Sequence, residues 1–163
     1  MDWLWSPWRF RYVSQASSGS ACIFCEKAAS SADRENLILH RGRFNFVLLN
    51  LYPYTNGHLM IAPYAHVATL AGAEVETVEE MARLARQAER AIREVYRPHG
   101  LNIGMNLGEC AGAGVAGHIH LHVLPRWTGD ANFMTTIGET RVMPEALEES
   151  FAKLRPAFAA CQE

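Results

Sequence analysis

No apolar stretch in this chain approaches the roughly 20 residues needed to cross a bilayer. Its opening also lacks the apolar core of a secretory signal, because Asp2, Pro7 and Arg9 interrupt the aromatics there. A cytoplasmic protein without a membrane partner is the expectation. An excess of charge of one sign is missing too. Fifteen Lys and Arg against 17 Asp and Glu give a formal net charge of −2, which supplies no basic field for a nucleic-acid polymer, so a small ligand fits better. Cysteine is sparse: Cys22 and Cys25 form one close pair, and Cys110 and Cys161 stand alone. In a reducing compartment such a pair reads as a metal or redox site rather than a structural disulfide. Internal repeats are absent, and 163 residues with 49% hydrophobic content suffice for one core but not for two ordinary domains.

The first 13 residues are aromatic and basic, with Trp3, Trp5, Trp8, Arg9, Arg11 and Tyr12, and residues 14–20 are rich in Ser, Ala and Gly. The expected organisation is therefore an N-terminal arm and connector over 1–20 and one domain over 21–163. Residues 37–40 and 44–50 read as two strands joined at Arg41-Gly42-Arg43, and 58–62 as a third strand ended by Pro63. From Glu74 to Tyr96, apolar residues recur at three- and four-residue steps, which predicts one amphipathic helix with Glu74, Glu76, Glu79 and Glu80 near its positive end. Residues 101–106 and 117–125 add two strands, and Pro144 to Phe158 a terminal helix. Strands on both sides of one long helix give an α+β class with an antiparallel sheet.

The densest signal is His118-Ile119-His120-Leu121-His122. Alternation with aliphatic residues is the pattern of a strand, which would set three imidazoles on one face. Same-face neighbours on a strand lie about 6.6 Å apart, so all three rings cannot converge on one metal ion, although two can. Just upstream, Gly108, Gly112, Gly114 and Gly117 punctuate a loop of small residues. Such a backbone lets an anion approach main-chain N–H groups, and imidazoles beside a phosphate cradle point to phosphoryl or nucleotidyl chemistry.

The run His118 to Leu124 resembles the signature of the histidine-triad (HIT) family of nucleotide hydrolases and transferases. Cys22-Ile23-Phe24-Cys25, the Asn50–His58 stretch followed by Met60-Ile61-Ala62-Pro63 and His66, and Asn106-Leu107-Gly108 are similar to further family segments. Leu4 to Arg9 and Pro125 to Phe133 look like the bacterial branch that cleaves diadenosine polyphosphates. The resemblance implies a HIT fold, an antiparallel sheet with one long helix and a C-terminal helix. It also implies cleavage of a dinucleoside polyphosphate through a nucleotidyl-histidine intermediate, resolved by water or phosphate.

By that resemblance His120 is the nucleophile, held by the backbone carbonyl of His118, while His122 donates to a phosphate oxygen. Asn50 matches a ribose contact and Asn106, Gly112 and Gly114 phosphate contacts. His58 matches a histidine that backs the triad, and Phe24, Leu48 and Leu49 would flank the base. Cys22, Cys25, His66 and His118 match a structural zinc set, and no catalytic metal is required. Family members commonly pair into homodimers, with the Glu74–Tyr96 helix at the contact. Where many members carry Gln, Ser or Thr before the first triad histidine, this chain has Gly114 and Val115, which leaves the leaving group to main-chain amides. Arg126 is expected near the phosphates. Alternatives are a nucleoside phosphoramidate hydrolase, a nucleoside-monophosphate transferase, a zinc-stabilised nucleotide-binding module without turnover, and a metal-dependent hydrolase using two of the histidines.

Overall fold

The computed structural model describes residues 22–137 and 143–161, so the expected arm over 1–20 lies outside them. The chain begins with a short helix α1 (Ile23–Ala29) and continues through strands β1 (Ile38–Arg41), β2 (Asn45–Leu49) and β3 (Leu59–Pro63). The long helix α2 (Val75–Tyr96) then leads to β4 (Gly100–Gly104), β5 (Leu121–Arg126), a one-turn helix α3 (Phe133–Thr136) and helix α4 (Leu147–Ala160). The strands form one antiparallel sheet in the order β1-β2-β3-β5-β4. Among the described residues no helix is long and apolar enough to cross a membrane.

The two faces of this sheet do different work. Helix α2 turns Met81, Leu84, Ala85, Ala88 and Ile92 inward at helical spacing, and α4 adds Phe151, Leu154 and Phe158. They pack on Val47, Leu49, Leu59, Ile61 and Val123, the residues of β2, β3 and β5 that alternate to that side. The opposite alternation carries Phe46, Leu48, Met60 and Ala62, covered by Phe24 of α1. Because β2 and β3 are buried on both faces, they read as continuous apolar runs rather than alternating ones. Register places Leu48 beside Met60, and Met60 beside His122. A triad imidazole therefore stands at the end of an apolar row, on the face that the long helices leave to α1.

Several expectations shift. Residues 118–120 are not part of a ladder strand: β3 ends at Pro63, the β3–β5 pairing stops at Ile61 and Leu121, and the Ile119 amide donates to the Val67 carbonyl at 2.8 Å. The terminal helix begins at Leu147 rather than Pro144, after extended backbone at Ala146. His40, on β1, is half-buried against the Phe158 ring at 5.3 Å, and burial lowers its pKa. Glu80 does more than oppose a helix dipole. Its carboxylate accepts from the Arg43, Phe44 and Asn45 amides at 2.7, 2.7 and 2.8 Å and from the Asn45 side chain at 2.9 Å. Desolvation opposes ionisation of this group, but the four donors outweigh it and hold its pKa below the ordinary value. The β1–β2 turn is thus tied to α2 by one carboxylate.

Glu80→Gln keeps the shape but loses the charge and half of the acceptor capacity. Charge-assisted hydrogen bonds contribute about 1.5–3 kcal/mol each, and part of the set survives in the amide. The variant should lose about 1–3 kcal/mol in urea denaturation at neutral pH; an unchanged midpoint would show that the clasp contributes nothing net.

Candidate active site

The site gathers residues from α1, β2, β3 and the stretch leading into β5. The four imidazoles His58, His118, His120 and His122 are all buried, His58 and His118 completely. Their rings run along the α1-facing side of the sheet: Phe24 lies 5.1 Å from the His118 ring and 4.9 Å from His120, and His120 lies 4.9 Å from His122.

In each ring a partner at one nitrogen fixes where the proton sits. The Tyr54 backbone N–H, which can only donate, reaches His58 Nδ1 at 3.1 Å, and the Asn50 side-chain amide lies 3.3 Å from the same nitrogen. A neutral His58 must then carry its proton on Nε2 and donate it to His122 Nδ1, 2.8 Å away. That leaves the His122 proton on Nε2, a donor toward the cleft. His120 donates from Nδ1 to the His118 carbonyl at 2.9 Å, so its Nε2 keeps an unshared pair. His118 donates from Nε2 to the Pro63 carbonyl at 2.9 Å, which frees its own Nδ1 as an acceptor or ligand atom. One row of alternating residues thus yields a nucleophilic nitrogen, a donor and a ligand.

Burial lowers the pKa of His58, His118 and His120. It pushes the His58 pKa down to about 3, with the nearby His122 and His120 adding to the effect. Desolvation also lowers His120 against the opposing hydrogen bond to His118, and lowers His118 against its bond to Pro63. The unprotonated form needed on His120 for attack is accordingly the resting form at neutral pH.

Around His120 and His122 a cleft is lined by Phe24, Lys27, Leu48, Asn50, Met60, Gly112 and Gly114. Gly112 and Gly108 adopt positive φ of 90° and 84°, conformations that L side chains rarely adopt. Asn106, expected at the phosphates, directs its amide to the Gly112 carbonyl at 3.5 Å and braces the loop. Asn50 caps its turn through Oδ1, accepting from the Tyr52 amide at 3.0 Å, while its Nδ2 meets His58. Arg126 does not approach the cleft: it is engaged by Asp130 at 2.6 and 2.8 Å and by Asn102 at 2.7 Å. Sequence reasoning missed Tyr54, whose ring lies 4.8 Å from His58 and 6.0 Å from His122. It also missed Lys27 as a wall residue. The aromatic run Tyr52-Pro53-Tyr54 carried a turn signal but none for a ring against the triad.

On the far side of His118, ligand atoms of Cys22, Cys25, His66 and His118 all lie within 4.8 Å of one another. Cys22 Sγ is 3.4 Å and Cys25 Sγ 3.7 Å from His118 Nδ1, and Cys25 Sγ is 3.3 Å from His66 Nδ1. A tetrahedral ion with bonds of about 2.0–2.3 Å separates its ligands by about 3.3–3.8 Å, so these three contacts fit such a site. The set meets the triad only through His118.

The model of the HIT domain family matches residues 34–129 of this chain. The AP-4-A phosphorylase of Mycobacterium tuberculosis strain H37Rv is 43% identical over 164 residues, covering 96% of this chain and 84% of that protein. The asymmetrical bis(5'-nucleosyl)-tetraphosphatase of Schizosaccharomyces pombe is 27% identical, covering 57% of this chain and 50% of that protein. Among solved structures, a Zn-bound histidine triad family protein from Mycobacterium smegmatis superposes with a TM-score of 0.70 at 34% identity, covering 86% of this chain and 94% of that one.

The neutral His58 has a stability consequence. Its unfolded pKa is near 6.5 and its folded value about 3, so the unfolded chain binds the extra proton first. The contribution is full above pH 6.5 and is lost as pH falls toward 3. Between pH 7.5 and 5.5 the wild type should lose about 1.4 kcal/mol more than His58→Gln in denaturant titrations. Parallel losses in both proteins would refute a neutral buried His58.

Proposed function

Because the chain belongs to the HIT family, we propose that it is a nucleotide hydrolase or transferase cleaving dinucleoside polyphosphates, and that His120 is its nucleophile. The observation that carries this reading is the proton inventory of the site. His120 Nδ1 is committed to the His118 carbonyl, so Nε2 is left as the basic nitrogen of a neutral ring on the cleft wall. Relatives named as a phosphorylase and an asymmetrical tetraphosphatase support the substrate class.

In this reading one nucleoside lies between Phe24 and Leu48, because Leu49, expected beside them, packs on the opposite face of the sheet, with its ribose at Asn50 and its phosphates over the Gly108–Gly117 loop. His120 Nε2 attacks the phosphorus bearing that nucleoside, a P–N bond forms, and the P–O bond to the remaining polyphosphate breaks. With diadenosine tetraphosphate the leaving group is ATP. His122, held by His58, donates from Nε2 to a non-bridging oxygen, and the loop amides take up charge on the others. Attack by phosphate on the adenylyl-His120 releases ADP; attack by water releases AMP. Either regenerates the neutral ring. A dianionic phosphate outcompetes water for a set of main-chain donors, and the phosphorylase relative favours that outcome.

Cys22, Cys25, His66 and His118 would hold a structural zinc, a reading supported by their spacing and by the Zn-bound relative. Bound there, the ion would tie α1 to the chain before β5 and supply no reaction chemistry. The protein acts in the cytoplasm as a homodimer of one HIT domain spanning 21–163, its exposed Ile103 on the edge strand β4 offering a pairing surface.

His120→Ala should reduce cleavage of diadenosine tetraphosphate at least a hundredfold while its melting temperature stays near wild type; retention of more than a tenth of the activity would remove His120 as nucleophile. With millimolar phosphate, the wild type should yield ADP and ATP in place of AMP and ATP, read by anion-exchange chromatography. Products that ignore phosphate leave a hydrolase.

A further inference from the structure

Among the described residues lining the nucleotide cleft, Lys27 is the only lysine, arginine or carboxylate, and the reaction above leaves it without a role. It stands three residues after Phe24 on α1, so the two side chains share a face. Phe24 covers His118 and His120, whereas the half-buried Lys27 reaches Asn36, donating to its carbonyl at 3.1 Å and to its Oδ1 at 3.4 Å. Asn36 precedes β1, which lies across the sheet from the triad.

Register makes this separation concrete. Ile38, Leu48, Met60 and His122 stand side by side across β1, β2, β3 and β5. Three strand spacings of about 4.8 Å put His122 and the β1 end of this row roughly 14 Å apart. A nucleotide whose phosphate meets His120 and His122, and whose base lies between Phe24 and Leu48, therefore turns the outer edge of that base toward Lys27.

The chemistry of the ammonium decides what it can read. It has three donors and no acceptor, and Asn36 takes two of the donors. Burial disfavours its charge and lowers its pKa, and no carboxylate among the described residues offsets this. A base acceptor would take the third donor. Guanine presents a carbonyl oxygen at position 6 beside N7, whereas adenine presents an amino donor there. Toward adenine, two donors face each other.

We propose that Lys27 selects the base of the nucleotidyl half of the substrate, favouring a 6-oxopurine such as guanine over adenine. The inference rests on the dinucleoside-polyphosphate reading and deepens it. Adenine is accepted through its ring nitrogens alone, and guanine gains one charge-assisted hydrogen bond. Lys27 sets specificity and touches no reacting atom.

The test is calorimetry on the wild type with GMP, IMP and AMP, which share phosphate and ribose. GMP and IMP should bind about fivefold tighter than AMP, the worth of one hydrogen bond. Lys27→Met should erase that preference by weakening GMP and IMP while leaving AMP near its wild-type affinity. If Lys27→Met fails to fold, IMP decides in the wild type, because it keeps the 6-oxygen of GMP and lacks the 2-amino group. Equal or tighter binding of AMP, a GMP preference that IMP does not share, or an unchanged GMP to AMP ratio in Lys27→Met overturns the proposal. A uniform loss across all three ligands, as a phosphate contact would give, is one form of that last result. If none of the three binds, the nucleotide reading falls and the proposal with it. A base preference that persists in a protein unable to cleave diadenosine tetraphosphate would instead overturn the catalytic reading alone.

Discussion

The site depends on the fixed orientation of His118. Its ring donates to the Pro63 carbonyl where β3 ends, its other nitrogen faces two thiols, and its own carbonyl accepts the His120 proton. A rotation of this one residue would release the acceptor that decides which His120 nitrogen carries the proton. The arrangement requires His118 and His120 to lie outside the ladder, because a carbonyl committed to β3 would be less available to a side chain. The end of the β3–β5 pairing at Leu121 is thus what makes the backbone around His118 available for the site.

A second constraint comes from burial without compensating charge. Four imidazoles share a small volume, and a proton on any of them would sit unscreened among the others. They avoid this by relaying hydrogen bonds from neutral backbone groups: Tyr54 N–H to His58, His58 to His122, His120 to a carbonyl. No carboxylate is needed to set the tautomers. The outcome is a pair of adjacent rings with opposite roles, distinguished by whether Nδ1 donates, as in His120, or accepts, as in His122.

Much of this is legible in the sequence because it rests on local pattern. The long helix shows its 3.6-residue period, β2 and β3 their apolar runs, and the triad its alternation. What stayed hidden depends on partners far along the chain. Helix α1 has only seven residues, too few for helical propensity to declare itself, and it is fixed by the packing of Phe24 on histidines near residue 120. The role of Glu80 lies in amides 35 to 37 residues away, so a local rule for acids near a helix start explained it incompletely. Tyr54 reaches His122 because the Met60 and His122 register brings β3 against β5, a fact of topology rather than composition.

The contacts between Cys22 or Cys25 and His118 span 96 and 93 residues of chain. During synthesis at about 5–20 residues per second, the two thiols emerge roughly 5–20 s before the histidine that completes their cluster exists. For that interval they are unsheltered nucleophiles on a nascent chain. Pairings of such high sequence separation also form late in folding, since loop closure must be met before any contact rewards it. The enclosure of the thiols, the seating of α1 and the alignment of the His120 tautomer therefore coincide with the end of folding, and truncated or stalled chains carry neither a closed cluster nor an aligned nucleophile.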